Sequence, residues 1–160
     1  MSRRRTPAPR PLRPIAAALL LACALTARSA TTAIDDGATI VYTPTVTMGW
    51  QSRSPRAHSS TLMAGTTPVR VRLNVSPWLH RNGRIYLVLP AQQPGPIRAS
   101  WTTQGRLLPG TLVSGTRALV YSGPITTPVM EDLIQLAIAV DGRQMDRVYN
   151  IDFRFEMDSN

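Results

Sequence analysis

The residue types that most often carry out chemistry are sparse in this chain of 160 residues. The only two histidines, His58 and His80, lie in stretches that read as loops and belong to no zinc-binding or hydrolase motif. His58 is followed by Ser59 and Ser60, but a nucleophile and its base are recognised by their geometry in space, and no carboxylate is placed to orient the imidazole. The sequence therefore predicts no catalytic residue, no cofactor and a protein that is not an enzyme.

Acidic residues flank one apolar stretch, residues 133–140: Glu131, Asp132, Asp141 and Asp146. Oxygen ligands of this kind bind calcium, but the dense spacing of a calcium-binding loop is missing. Asp141 also precedes a glycine, and Asp-Gly is a common hairpin turn. We therefore interpret these acids as turn and surface residues and predict no metal site.

The first 29 residues have the three parts of a secretory signal peptide. An arginine-rich, acid-free stretch comes first, residues 15–25 form an apolar run, and the small residues of ALTARSA follow. Because a membrane-spanning helix needs roughly 20 apolar residues, the run predicts no transmembrane segment. A cut after Ser29 leaves residues 30–160 as a single domain. The alternative, a lipoprotein that begins at the lipidated Cys23, is disfavoured because ALTARSA already supplies a conventional cleavage site.

Removal of the signal peptide changes the charge of the chain. Six of the 18 arginines and none of the 9 acids precede the cut, which leaves 12 arginines against 9 acids and a net charge of +3 instead of +9. A charge this close to neutral gives no indication of nucleic-acid binding. For the same reason we interpret six arginines as the solvated faces of strands and loops rather than as a patch for anionic glycans or lipids: Arg53, Arg56, Arg70, Arg72, Arg81 and Arg84.

The three tryptophans are the remaining candidates for a binding site. Trp50 lies in a predicted loop, from which an indole ring can stack on a sugar or a base. Trp101 ends a predicted strand and is expected in the core, since tryptophan is highly buried on average. These residues alone define no ligand.

Short alternating segments separated by turns run through the mature chain. After a polar, flexible leader at 30–38, strands are predicted at 39–48, 69–75, 85–89, 97–101, 118–121, 133–140 and 149–157. Residues 49–67 read as a long loop, and Asn82-Gly83 as a tight hairpin turn. A helix is the rival for 133–140, but its short length and the following Asp-Gly favour a strand. The pattern predicts an all-β fold, an immunoglobulin-like β-sandwich of seven to eight short antiparallel strands.

The first and last of these strands have apolar residues on one face. Pro44 in the first strand lacks a donor, so that strand is expected at a sheet edge or with a bulge. Its apolar face carries Ile40, Tyr42, Val46 and Met48. The apolar face of the last strand carries Tyr149, Ile151, Phe153, Phe155 and Met157.

The order of these segments resembles that of a chaperone–usher fimbrial (pilus) subunit. It is most similar to the cysteine-free alternate class that includes the colonization factor antigen pilins. The resemblance spans most of residues 40–157. It rests on the alternating first strand, VRVRLNVSPWL at 69–79, RIYLVLP, IRASWTTQGRLL at 97–108, LVY and the alternating last strand. The arginine-rich composition, the long 49–67 loop and the charged end RFEMDSN depart from that class.

The resemblance implies a mechanism of assembly and a set of partners. Subunits of that family lack one strand, and the N-terminal strand of the next subunit fills the resulting groove by strand addition. Here residues 39–48, through Ile40, Tyr42, Val46 and Met48, would be the donor strand. The apolar residues of 149–157 would form the acceptor groove. The implied partners are a periplasmic chaperone, an outer-membrane usher and other fimbrial subunits, with passage through the periplasm to a surface fimbria.

A second hypothesis is a monomeric periplasmic or lipid-anchored binding module. In that case loops 49–67 and 90–96 would hold the ligand, and the first and last strands would pair within one closed monomer.

Overall fold

The computed structural model describes residues 30–51, 61–91, 95–144 and 150–159. The predicted signal peptide, with Cys23, lies outside these ranges. The described part contains two 3₁₀ turns, Ser76–Trp78 and Gly142–Gln144, and ten strands: β1 Ala30–Ala33, β2 Ile40–Val41, β3 Gly49–Trp50, β4 Leu62–Asn74, β5 Asn82–Leu89, β6 Arg98–Thr103, β7 Gly110–Val113, β8 Thr116–Pro124, β9 Val129–Asp141 and β10 Arg154–Ser159.

The strands form two antiparallel sheets that pack against each other. The four-stranded sheet has the order β1-β10-β5-β8, and the six-stranded sheet has the order β2-β4-β9-β6-β7, with β3 also paired to β4. The prediction of an all-β sandwich is confirmed. Six strands overlap those predicted from residue 69 onward: β4, β5, β6, β8, β9 and β10. β2 lies within the strand predicted at 39–48, and the additional strands β1, β3 and β7 are two to four residues long.

The longest pairing joins β4 to β9 over thirteen residue pairs and organises the six-stranded sheet. On β4, Val69, Val71 and Leu73 point into the core while Arg70 and Arg72 remain exposed, as the alternation predicts. The apolar run 133–140 belongs to β9, which lies between β4 and β6. A central strand has a neighbour on each side, and the interpretation of this run as a strand rather than a helix is confirmed.

The core lies between the two sheets and takes side chains from both. Leu73 of β4, Ile85 of β5, Val120 of β8 and Met157 of β10 are all at most 1% exposed. Burying a side chain of this size contributes about 1.5–3 kcal/mol each relative to leaving it in water. The packing of β4 and β9 on β5, β8 and β10 therefore positions every other element.

The predicted 49–67 loop is wrong for its last part. Residues 62–67, LMAGTT, form the first half of β4 although they lack a clear period. Residues 52–60 lie outside the described ranges. The physical reason is the partner strand. β9 is thirteen residues long, and its backbone donors and acceptors from Ala137 to Asp141 are satisfied by pairing with residues 62–66 of β4.

The predicted hairpin turn at Asn82-Gly83 is also wrong. Both residues lie inside β5, and β4 and β5 belong to different sheets. The chain crosses between the sheets through the Ser76–Trp78 turn and His80, whose φ of 62° is left-handed. Gly83 is needed for another reason, since a Cβ there would collide with the buried side chain of Met157.

The two terminal strands differ from their predictions. Of the predicted strand 39–48, only Ile40–Val41 is a strand, and the chain leaves the sheet before Gly49–Trp50 pairs again with β4. Of the described part of the predicted strand 149–157, residues 150–157, only the part from Arg154 onward is a strand. Residues 30–33, expected in a flexible leader, form β1 on β10. In all three cases, backbone pairing with a neighbouring strand decides which residues form a strand. The periodicity of the sequence does not reveal that pairing.

Candidate functional site

The described N-terminal segment, residues 30–50, is attached to the outer edges of both sheets. β1 pairs with β10 at one edge, and β2 and β3 pair with β4 at the other. Between them the Ile34 N–H donates to the Phe155 carbonyl at 2.9 Å, and the Asn74 N–H donates to the Asp35 carbonyl at 2.9 Å. The segment therefore crosses from one sheet to the other and closes one side of the sandwich.

Ile34 is the buried apolar side chain of this segment in the core, and the partly buried Met48 packs against the same core. Ile34 is 5% exposed and belongs to the main hydrophobic cluster. Its neighbours are polar or small, and Asp35 caps a turn by accepting the Gly37 N–H at 3.1 Å. An isolated isoleucine within ATTAIDDGA carries no periodic signal, so sequence reasoning missed it.

The four residues predicted to form the donor face do not share one face in this structure. Ile40 is 50% exposed and Tyr42 is 55% exposed, at the edge of the six-stranded sheet. Val46 and Met48 are half-buried and lie over Gly65, because a Cβ on Gly65 would meet both side chains. Between these two pairs, near Pro44, the chain bends away from β4. Proline has no backbone N–H to donate to a neighbouring strand, which is why this segment is expected at a sheet edge or with a bulge.

The predicted acceptor residues lie on and before β10, in the middle of the four-stranded sheet between β1 and β5. Phe155 is 4% exposed and Met157 is fully buried, so both are core residues. Ile151 and Phe153 are partly buried and pack against that core. Tyr149 lies outside the described residues.

An apolar cavity of about 220 Å³ lies between the two sheets beneath the N-terminal segment. Its walls come from β4, β5, β9 and the C-terminal segment, and three predicted acceptor residues are among them. The residues that line it are Asp36, Thr39, Val41, Val69, Val71, Leu87, Ile134, Leu136, Ile151, Asp152, Phe153 and Phe155. The cavity therefore lies at the junction of the predicted donor and acceptor segments.

Two carboxylates line this cavity, Asp36 from the N-terminal segment and Asp152 from the segment before β10. Partial burial raises the pKa of Asp36 above its usual 3.8, and the negative fields of Asp152 and Asp35 raise it further. In the described part of the chain, the ion pairs formed by arginines involve other acids.

A polar cluster on the outer face holds β1 to the rest of its sheet. The Thr31 hydroxyl donates to the Asp158 carboxylate at 2.6 Å, and Arg117 donates two hydrogen bonds to the same carboxylate at 3.0 and 3.2 Å. The Arg117 guanidinium also lies 4.1 Å from the centre of the Tyr86 ring. These four side chains come from β1, β10, β8 and β5, so the cluster crosses the whole sheet.

The next candidates from the sequence are acidic residues and two tryptophans. Asp132 is buried, Asp141 pairs with Arg143 at 2.8 Å, and no group of three or more metal-ligating side chains occurs within the described ranges. Trp101 is buried as expected, and its indole N–H donates to the Leu108 carbonyl at 2.9 Å. Trp50 is exposed.

The remaining candidates are the arginines and the other residues of the acidic and histidine groups. Arg70 and Arg72 both lie beside Glu131 on the outer face, as solvated strand residues do. His58, Arg53, Arg56 and Asp146 lie outside the described residues.

Comparison with known proteins identifies no relative. No protein-family model matches the chain, and no curated protein or solved structure is significantly similar to it. Within the described residues, none of the helices has the length and apolar character to cross a membrane. The function is therefore inferred from the fold and from the geometry of the N-terminal segment.

Proposed function

We propose that this protein is a non-enzymatic structural subunit of a bacterial surface fimbria, exported through the periplasm and assembled by strand addition. The observation that carries the proposal is the attachment of residues 30–50, whose strands pair only with the outer edges of β10 and β4. An edge strand can leave and be replaced by the same strand of another copy without breaking the interior ladders.

The proposal refines which residues serve as donor and acceptor. The exchanged element is the whole segment 30–50, which contains Ile40, Tyr42, Val46 and Met48, and its core anchor is Ile34. In the acceptor copy, β10 receives β1, while Ile151, Phe153 and Phe155 line the cavity that the incoming segment covers. A periplasmic chaperone and an outer-membrane usher are the partners that such assembly requires.

Two cysteines, each introduced into a separate variant of the chain, test this exchange directly. Because the Ile34 N–H bonds to the Phe155 carbonyl, the alternation of an antiparallel ladder makes Ala33 and Glu156 a pair without mutual hydrogen bonds, the type with the closest Cα atoms. Two variants of the chain, Ala33→Cys and Glu156→Cys, each also carrying Cys23→Ala, are produced together in the bacterium that makes the protein. Material from the cell surface is then examined on non-reducing gels.

Strand exchange predicts disulfide-linked chains from the mixture and none from either variant produced alone. The matched control is the pair Arg70→Cys and Leu133→Cys, which are opposite each other in the interior β4–β9 ladder and cannot be exchanged by an N-terminal segment. Surface material that contains only monomers for both pairs would overturn the fimbrial proposal.

The second hypothesis from the sequence, a monomeric periplasmic or lipid-anchored binding module, predicts that monomeric outcome. Mass analysis of the mature N terminus separates its two forms, since lipidation would place Cys23 first. Loops 49–67 and 90–96, its expected ligand site, include residues 52–60 and 92–94, which lie outside the described ranges.

A further inference from the structure

The cavity under the N-terminal segment is large enough to hold a small organic molecule. Its volume is about 220 Å³, and an engineered apolar cavity of about 150 Å³ in another protein binds benzene. The deep walls are aliphatic and aromatic, with Val69 and Val71 from β4, Leu136 from β9 and Phe155 from β10. Such walls favour a ligand with an aromatic ring or a short alkyl chain.

The polar groups of the cavity are acidic. Asp36 and Asp152 line it together with Thr39, whose hydroxyl bonds to the Arg72 backbone, and none of the lining residues that the structure describes is basic. Neither carboxylate belongs to an ion pair within the described part of the chain. Two carboxylates beside an apolar space are complementary to a positive charge that is attached to an apolar body.

We propose that this cavity binds a small organic cation, an amine that carries one aromatic ring or a short alkyl chain. The apolar body occupies the space between β4, β9 and β10, and the ammonium group lies between Asp36 and Asp152. The same residue types line the cavity whether residues 30–50 come from the same copy or from a neighbour. The inference therefore does not depend on strand exchange.

Three probes of nearly equal shape distinguish charge recognition from simple filling of the cavity. Phenethylammonium carries the cation, 2-phenylethanol is its neutral counterpart, and 3-phenylpropanoate carries a negative charge. Binding to the exported protein is measured by calorimetry and by ligand-observed NMR at neutral pH. We expect phenethylammonium to bind with a dissociation constant of about 1 mM or lower. We expect it to bind about 5-fold more tightly than the alcohol, with the acid weakest, because an ion pair at a partly buried carboxylate favours only the cation.

Variants identify the site. Asp36→Asn and Asp152→Asn together should reduce the preference for the cation over the alcohol to less than about 2-fold. Glu131→Gln, which removes one negative charge on the outer face of β9, should leave the preference unchanged. Val41→Trp, at an exposed edge position that lines the cavity, should weaken binding of all three probes by about 10-fold or more by occupying the space.

Each other outcome contradicts the proposal. Equal affinity for the cation and the alcohol would mean an apolar cavity without charge recognition. Binding that survives Val41→Trp while circular dichroism and the unfolding midpoint stay normal would place the ligand elsewhere. No binding by any probe would mean that the cavity is closed or already filled by protein.

Discussion

At the scale of single residues, Asp132 is the least expected side chain of the structure. It points inward from β9 and is 6% exposed, although the sequence suggested a turn or surface residue. Its two carboxylate oxygens accept the N–H groups of Gln104 at 3.3 Å and Leu107 at 2.7 Å. Gly105 lies against the carboxylate, since a Cβ there would come within 2.9 Å of it. Asp132 therefore holds the loop between β6 and β7 against the sheet.

Replacing Asp132 with alanine should destabilise the protein markedly. The change leaves the Leu107 N–H without its acceptor, while the Gln104 N–H keeps a second acceptor, the Leu133 carbonyl at 3.1 Å. An unsatisfied buried donor costs about 1–3 kcal/mol. We expect a loss of about 2 kcal/mol in the free energy of unfolding, measured by urea denaturation. Glu131→Ala, at the exposed neighbouring position, is the control and should cost less than about 0.5 kcal/mol. Equal losses in both variants would contradict this role of Asp132.

Asp158 should make the attachment of β1 dependent on pH. Partial burial favours its protonated form, but the hydrogen bonds from Thr31 and Arg117 outweigh this effect and hold the pKa of Asp158 below its usual 3.8. A carboxylate with a lowered folded-state pKa contributes stability above its unfolded pKa, and this contribution is lost as the pH falls through the folded value. At neutral pH we expect Asp158→Asn to cost about 1 kcal/mol.

The measurement compares the wild-type protein and Asp158→Asn in urea denaturation from neutral pH to about pH 3. The difference between them should shrink below about pH 4. Hydrogen exchange of the amides of residues 31–34 should become faster in the variant, with β4 and β9 unchanged. A difference that stays constant over this pH range would show that the Asp158 charge does not hold β1.

At the scale of elements, sequence patterns predict the interior strands well and the edge strands poorly. The second half of β4 alternates apolar and polar residues, and 133–140 is apolar at nearly every position, so each pattern defines a strand and its buried residues. β1 and the first half of β4 carry no alternating pattern, and they are strands because β10 and β9 offer backbone partners. A partner across the sheet is a long-range contact, which a local pattern does not contain.

The contact between Gly65 and the bend at 43–48 can be tested with matched glycines. A methyl group on Gly65 would meet Val46 and come within 2.9 Å of the Thr47 carbonyl oxygen, so Gly65→Ala should displace this bend from β4. Gly49 is the control, because a Cβ there has no neighbour within 4 Å. We expect Gly65→Ala to cost about 1–3 kcal/mol in unfolding free energy and Gly49→Ala about 0.5 kcal/mol or less. Similar stabilities of the two variants would contradict this packing.

At the scale of the whole molecule, only part of the candidate site could be predicted from the sequence. Alternation correctly places Phe155 and Met157 in the interior. The cavity could not be predicted, because its volume depends on how β4 and β9 are spaced from β10 and on where residues 34–41 cross between the sheets. The sequence also assigned the apolar contacts of the N-terminal segment to Ile40, Tyr42, Val46 and Met48, and the structure leaves the first two about half exposed.

Ile34 and Ile40 differ in burial, and this difference indicates which of them holds the N-terminal segment on the sandwich. Ile34 is 5% exposed in the core, and Ile40 is 50% exposed at the sheet edge. Truncating a buried isoleucine typically costs about 2–5 kcal/mol. We therefore expect Ile34→Ala to lose about 3 kcal/mol in urea denaturation and Ile40→Ala less than about 1 kcal/mol. If strand addition assembles the fibre, Ile34→Ala should also reduce the Ala33–Glu156 cross-link between copies far more than Ile40→Ala does. A larger effect of Ile40→Ala in both measurements would return the donor role to the strand predicted at 39–48.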